Sequence, residues 1–208
     1  MAIDRRTLLS TASMGAVFAF AAPALGADKP MSPMAWTDKN GLVNKLPKDT
    51  EPLKDELKKY PRCPYCGMMR AKFSHSRHLL VYEDDSVDGT CSIHCAAISL
   101  SLNMDRGPKA IYAGDAGSDE KIKPLVLSDK ASYVLDAKKP GTMTKVSKLA
   151  YGDKAKAEAA AKGDAKIVGF DEALTAAYLD MANDTIMIRK KRAEMRKKMK
   201  MKMGGGHK

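Results

Sequence analysis

Four cysteines, through their spacing, constrain this chain more than any other feature. They form Cys63-x2-Cys66, then 24 residues, then Cys91-x3-Cys95. The first pair sits in Cys63-Pro64-Tyr65-Cys66-Gly67-Met68, a turn containing Pro and Gly. Such a turn folds as a knuckle that points two thiolates at one centre, while backbone amides stabilise their charge. The second pair opens a helix, because Ile93, Ala96, Ala97, Leu100 and Met104 recur at helical spacing from about Ser92. Cys91 then lies just before the first turn and Cys95 on it, where the helix N-terminus favours a thiolate. A knuckle from one element and a helix start from another is how many four-cysteine metal sites are assembled.

This spacing speaks strongly for metal and weakly for which metal. Structural zinc, copper(I) or another soft ion held for transfer, and one or two disulfides all fit it. A thiol–disulfide oxidoreductase fits least, since the Cys-x-x-Cys does not join a strand to a helix. Met68 and Met69 follow the knuckle, and thioethers suit copper(I) but not zinc. Met69 reads as core filling. His75, His78 and His94 read first as surface or packing histidines, and His94 faces a different side of its helix from Cys91 and Cys95.

The N-terminus indicates where such thiols would end up. Asp4-Arg5-Arg6-Thr7-Leu8-Leu9 precedes an apolar run from Ala12 to Leu25, with small residues at Ala24, Gly26 and Ala27. The run is shorter than the roughly 20 apolar residues needed to span a bilayer, so it reads as a signal peptide over residues 1–26. The paired arginines resemble a twin-arginine signal, whose cargo crosses the membrane folded. No cysteine lies at the exit to take a lipid, so the expected destination is the periplasm, as a soluble protein. There, unprotected thiols oxidise unless metal holds them.

Residues 27–59 read as an N-terminal arm, with Pro30, Pro33, Gly41 and Pro47 and a helical turn or two between Glu51 and Lys59. The body occupies 60–184. Within it Arg77 to Glu83 reads as a strand, closed by a turn over Asp84 to Gly89 in which Gly89 supplies the permissive backbone. Ala131 to Asp136 and Lys166 to Phe170 read as further strands. Asp153 to Lys162 is an alanine-rich helix ended by Gly163, and Asp171 caps a long helix from Glu172 onward. Strands thus alternate with helices in an α+β or α/β body, with strand, turn and helix in both halves, a cysteine knuckle, a long C-terminal helix and a basic tail.

Charge is concentrated at that tail. The chain carries 36 Lys+Arg against 25 Asp+Glu, a net +11. From Arg189 onward ten Lys or Arg face a single acid, Glu194, so nine of the eleven excess charges sit there. The body is close to neutral, and no nucleic-acid partner is expected. Residues 185–208 form a basic, Met-rich helical or disordered tail in which Met195, Met199 and Met203 share one stripe if helical. Its thioethers with His207 suit weak copper(I) capture, and its lysines suit an acidic partner or weak contact with anionic lipid at a membrane surface.

Cys63-Pro64-Tyr65-Cys66-Gly67-Met68, a following strand and Asp88-Gly89 resemble the NosL-like nitrous oxide reductase accessory proteins. So do Gly141-Thr142-Met143, Ala150-Tyr151 with the alanine-rich helix, and Gly169-Phe170-Asp171-Glu172-Ala173-Leu174. The resemblance spans roughly residues 60–180. It implies an exported copper(I)-binding protein that helps mature the copper sites of a client enzyme, nitrous oxide reductase, and an α+β fold of two similar strand-helix units, related to that of organomercurial lyases. It implies Cys66, Met68 and Met143 as metal ligands beside Cys63, Cys91 and Cys95. Many such proteins are lipoproteins, whereas this chain shows no lipid-attachment cysteine. The pair Cys91-Ser-Ile-His-Cys95 resembles the helix-start pair of small heavy-metal-binding knuckle domains, and keeps a structural zinc module as the alternative. No enzyme activity is expected. Chemistry on an organometal carbon bond would need a proton donor near the thiols, for which Asp88 is at hand.

Overall fold

In the computed structural model, residue 39 and residues 46–204 are described. The signal-like segment 1–26, the arm up to residue 45 and the Gly-Gly-His-Lys end lie outside these residues. The elements in chain order are α1 (Glu56–Lys59), β1 (His78–Tyr82), β2 (Val87–Thr90), α2 (Ile93–Leu102), β3 (Pro108–Gly114) and β4 (Leu125–Leu127). They continue with β5 (Ser132–Asp136), β6 (Ser147–Tyr151), α3 (Lys154–Ala160), β7 (Lys166–Val168) and α4 (Phe170–Gly204). A 3-10 turn over Arg70–Phe73 links the cysteine knuckle to β1.

Two antiparallel sheets result, ordered β2-β1-β3-β4 and β6-β5-β7. Each begins with a hairpin whose first strand becomes central, continues through a helix, and returns a third strand to that strand's free edge. The expected two strand-helix units are therefore present as two ββαβ repeats. They meet where Ala116 N–H donates to Ala150 O at 2.8 Å.

Strand β1 is buried along its whole length, so its residues read as an unbroken apolar run rather than an alternation. Leu80 and Tyr82 face a core shared with Ile93 and Ala96 of α2, Tyr133 of β5, Ala150 of β6 and Phe170, Ala173 and Ala177 of α4. Leu79 and Val81 face a smaller cluster with Val87. Small residues on α4 let that helix lie close, because an alanine leaves little between the backbones.

Three local expectations are corrected. Asp88 and Gly89 lie in β2 rather than in a turn, and the chain reverses earlier, at Asp85 with φ 61°. Gly89 is needed for room: a Cβ there would lie 2.7 Å from Tyr60 Cβ and 2.8 Å from the guanidinium of Arg70. Asp171 sits inside the first turn of α4, which starts at Phe170, and does not cap it. Asp153 does cap α3, its carboxylate accepting from Ala155 N–H at 2.8 Å. Met69 is half-buried beside a bridge to Arg62 rather than set in the core.

Candidate metal centre

The knuckle closes on its own backbone. Cys63 N–H donates to Met68 O at 2.9 Å and Gly67 N–H donates back to Cys63 O at 2.9 Å. Gly67 holds φ 74°, in the left-handed region that a side chain resists. Cys91 leaves the end of β2, and Cys95 lies in the first turn of α2 behind the extended Ser92. Strand β2 therefore delivers one thiol and the helix start the other, both onto the knuckle.

All four sulfurs lie within 4.8 Å of one another. Cys66 Sγ is 3.4 Å from Cys91 Sγ and 3.9 Å from Cys95 Sγ, and Cys91 and Cys95 are 3.7 Å apart. Ligands at about 2.3 Å from a tetrahedral ion stand about 3.8 Å apart along each edge. The thiols therefore already have the spacing that one soft ion requires. Cys63, Cys91 and Cys95 are at most 1% exposed, and only Cys66 reaches partway to solvent. Tyr65, Met68 and Phe73 pack around them.

The protons on this cluster are shared. Donation from the Cys91 and Cys95 thiols drives the Cys63 pKa far down, with backbone N–H groups of Tyr65 and Cys91 adding to it. Donation to that thiolate pushes Cys91 and Cys95 up in turn. Crowded sulfurs cannot all carry negative charge without a cation among them.

Charged groups around the cysteines support the site, and of these the sequence marked only Asp88. Arg70 is fully buried, ion-paired with Glu56 at 2.7 Å, and donates to Tyr60 O at 2.7 Å, Thr90 O at 3.2 Å and His78 O at 3.1 Å. Glu56 also pairs with Arg77 at 2.8 Å. One guanidinium thus ties α1, the knuckle's exit and both strands of the hairpin that ends in Cys91. Asp88, buried in β2, accepts from Ser99 Oγ at 2.6 Å and from the Tyr65 hydroxyl. Burial raises its pKa above the usual carboxylate range. No spacing rule could have found these partners, since they lie 8 to 23 residues apart.

The remaining expected ligands are placed differently. Met68 touches the cysteine cluster. Met143 is 39% exposed, at φ 68°, and lines a groove with His94. A non-glycine residue there carries strain on the order of 1–3 kcal/mol. Its neighbour Thr142 bonds Ser76 Oγ at 2.8 Å, and Ser76 Oγ donates to Cys91 O at 2.9 Å, so this loop is fastened to the cysteine site. His78 is a packing residue, its ring between Ser76 O and the Tyr133 hydroxyl. His75 lies against Phe73.

The NosL family model matches residues 54–178. Among solved structures, the copper chaperone NosL from Shewanella denitrificans is similar at 22% identity, covering 61% of this chain and 96% of that one, with a TM-score of 0.45. No curated protein matches the chain.

Proposed function

This chain belongs to the NosL family, and from that premise we propose that it is an exported copper(I)-binding accessory protein that carries copper to a client enzyme in the periplasm. The client class that the family suggests is nitrous oxide reductase. The observation that carries the proposal is the convergence of four cysteine sulfurs within 4.8 Å, with a thioether, Met68, against them. Thiolate and thioether together are the donor set of a soft ion. The partly exposed Cys66 gives a partner's ligand a place to attack, which a carrier needs and a purely structural site does not.

One observation favours a second reading, in which the four cysteines hold structural zinc. Three of the sulfurs are sealed from solvent and the edges of the cluster fit a closed tetrahedron. Elemental analysis of the anaerobically purified protein separates the two. The carrier reading expects copper(I) to be retained against a competing chelator in the wild type, and the affinity to fall at least a hundredfold when all four cysteines are serine. Stoichiometric zinc that copper(I) cannot displace, with unfolding when it is stripped, overturns the carrier reading.

A further inference from the structure

Beside the cysteine cluster lies a second collection of soft donors. A groove of about 570 Å³ is lined by His94 of α2, Met143 of the loop before β6, and Met181 and Met187 of α4. Its charged members are Lys145 and Asp184. Three thioethers and an imidazole in one cavity form a donor set suited to a soft monovalent ion and poorly suited to zinc.

The groove is a constructed feature. Thr144 Oγ1 donates to Asp180 at 2.9 Å, and the buried Lys148 ammonium pairs with the same carboxylate. Met143 and Met181 are the immediate chain neighbours of Thr144 and Asp180, so this clamp holds the loop methionine and the helix methionine to one cavity. His94 contributes an Nδ1 that is shielded from solvent and has no hydrogen-bond partner among the described residues. A sheltered, unpartnered ring nitrogen is costly unless something uses its lone pair. His94 stands between Cys91 and Cys95 on the same first turn of α2. The loop that carries Met143 reaches Cys91 through Thr142 and Ser76.

We propose that this groove is a second station for a soft monovalent ion, with His94, Met181 and Met187 as ligands and the exposed Met143 at its mouth. It extends the copper(I) reading above. Thioethers and imidazole bind such an ion more weakly than clustered thiolates and do not close into disulfides. The groove therefore takes up and releases the ion, while the cysteines retain it. Met181 and Met187 lie beyond residue 178, where the family match ends, so α4 adds two of the four donors from outside the matched region.

The test uses the full-length protein labelled with 13C at the methionine methyl groups and titrated anaerobically with Ag(I), a redox-inert stand-in for copper(I). The first equivalent produces the ultraviolet thiolate-to-metal band. The second shifts the methyl signals of Met143, Met181 and Met187, assigned by single Met→Leu variants. In His94→Gln/Met181→Leu/Met187→Leu the band persists and affinity for the second equivalent falls at least tenfold. Shifts confined to Met195, Met199 and Met201 overturn the proposal, as does a triple variant that binds the second ion as tightly as wild type. If the triple variant fails to fold, the wild-type methyl shifts alone decide. The cysteine reading fails separately, by absence of the ultraviolet band, and groove shifts without the band leave this station standing.

Discussion

His78 shows how a single buried ring ties stability to pH. It is sealed inside β1, bonded across the core to the hydroxyl of Tyr133 in the second repeat at 3.1 Å. Burial lowers its pKa to about 4 from an ordinary 6.5. The unfolded chain therefore binds this proton first as pH falls, so stability is fully present above about pH 6.5 and declines toward pH 4. Between pH 7.5 and 5 this one group should cost about 2 kcal/mol, given about 1.4 kcal/mol per pH unit. Urea unfolding at the two pH values measures it: the wild type should lose about 2 kcal/mol more than His78→Gln. Equal losses would mean that the ring is protonated within the fold. Asp88, whose pKa is raised by burial, works in the opposite direction, and the comparison with the variant removes its contribution.

At the level of elements, α4 divides into two parts with different tasks. Phe170, Ala173 and Ala177 pack into the core, whereas every described side chain from Arg189 onward is exposed. Lysines and arginines near the end of the helix also oppose its negative C-terminal pole. A chain that stops after Arg189 should therefore keep its unfolding free energy within roughly 0.5 kcal/mol of the full chain, with unchanged metal affinity at the cysteines. Denaturant titration checks this, and a loss above about 2 kcal/mol would show that the exposed half holds the fold.

The same elements show what could be read beforehand. The knuckle, the helix start and β1 were legible because their chemistry is local: turn residues, helical period, an apolar run. Strand β6 was not, since it buries Ser147 and Lys148, and the charge that makes Lys148 tolerable comes from Asp180 in α4. Strand β3 opens on exposed Pro108 and Lys109 and hides its apolar end. Asp88-Gly89 carried turn composition, but contacts with Tyr60, Arg70 and Ser99 made it strand. The four cysteines were found by spacing alone, whereas Arg70, Glu56 and Tyr65 needed the fold.

Across the described residues as a whole, the two repeats share one core. Leu80 and Ile111 from the first contact the cluster that holds Tyr133, Ala150 and Phe170 from the second. Neither repeat can bury its apolar face alone, so unfolding should be a single transition. Far-ultraviolet dichroism and tyrosine fluorescence should give coincident curves in urea, and separated midpoints would refute a common core. The β1/β2 hairpin, with His78 opposite Thr90 and Leu79 opposite Gly89, has a further consequence. A slip of one residue turns every side chain of a strand to the other face. It would therefore swing Cys91 away from the knuckle as surely as it would expose Leu79. An ion gripped by both cysteine pairs thus proofreads the hairpin: only a chain whose strands are in step can close around it.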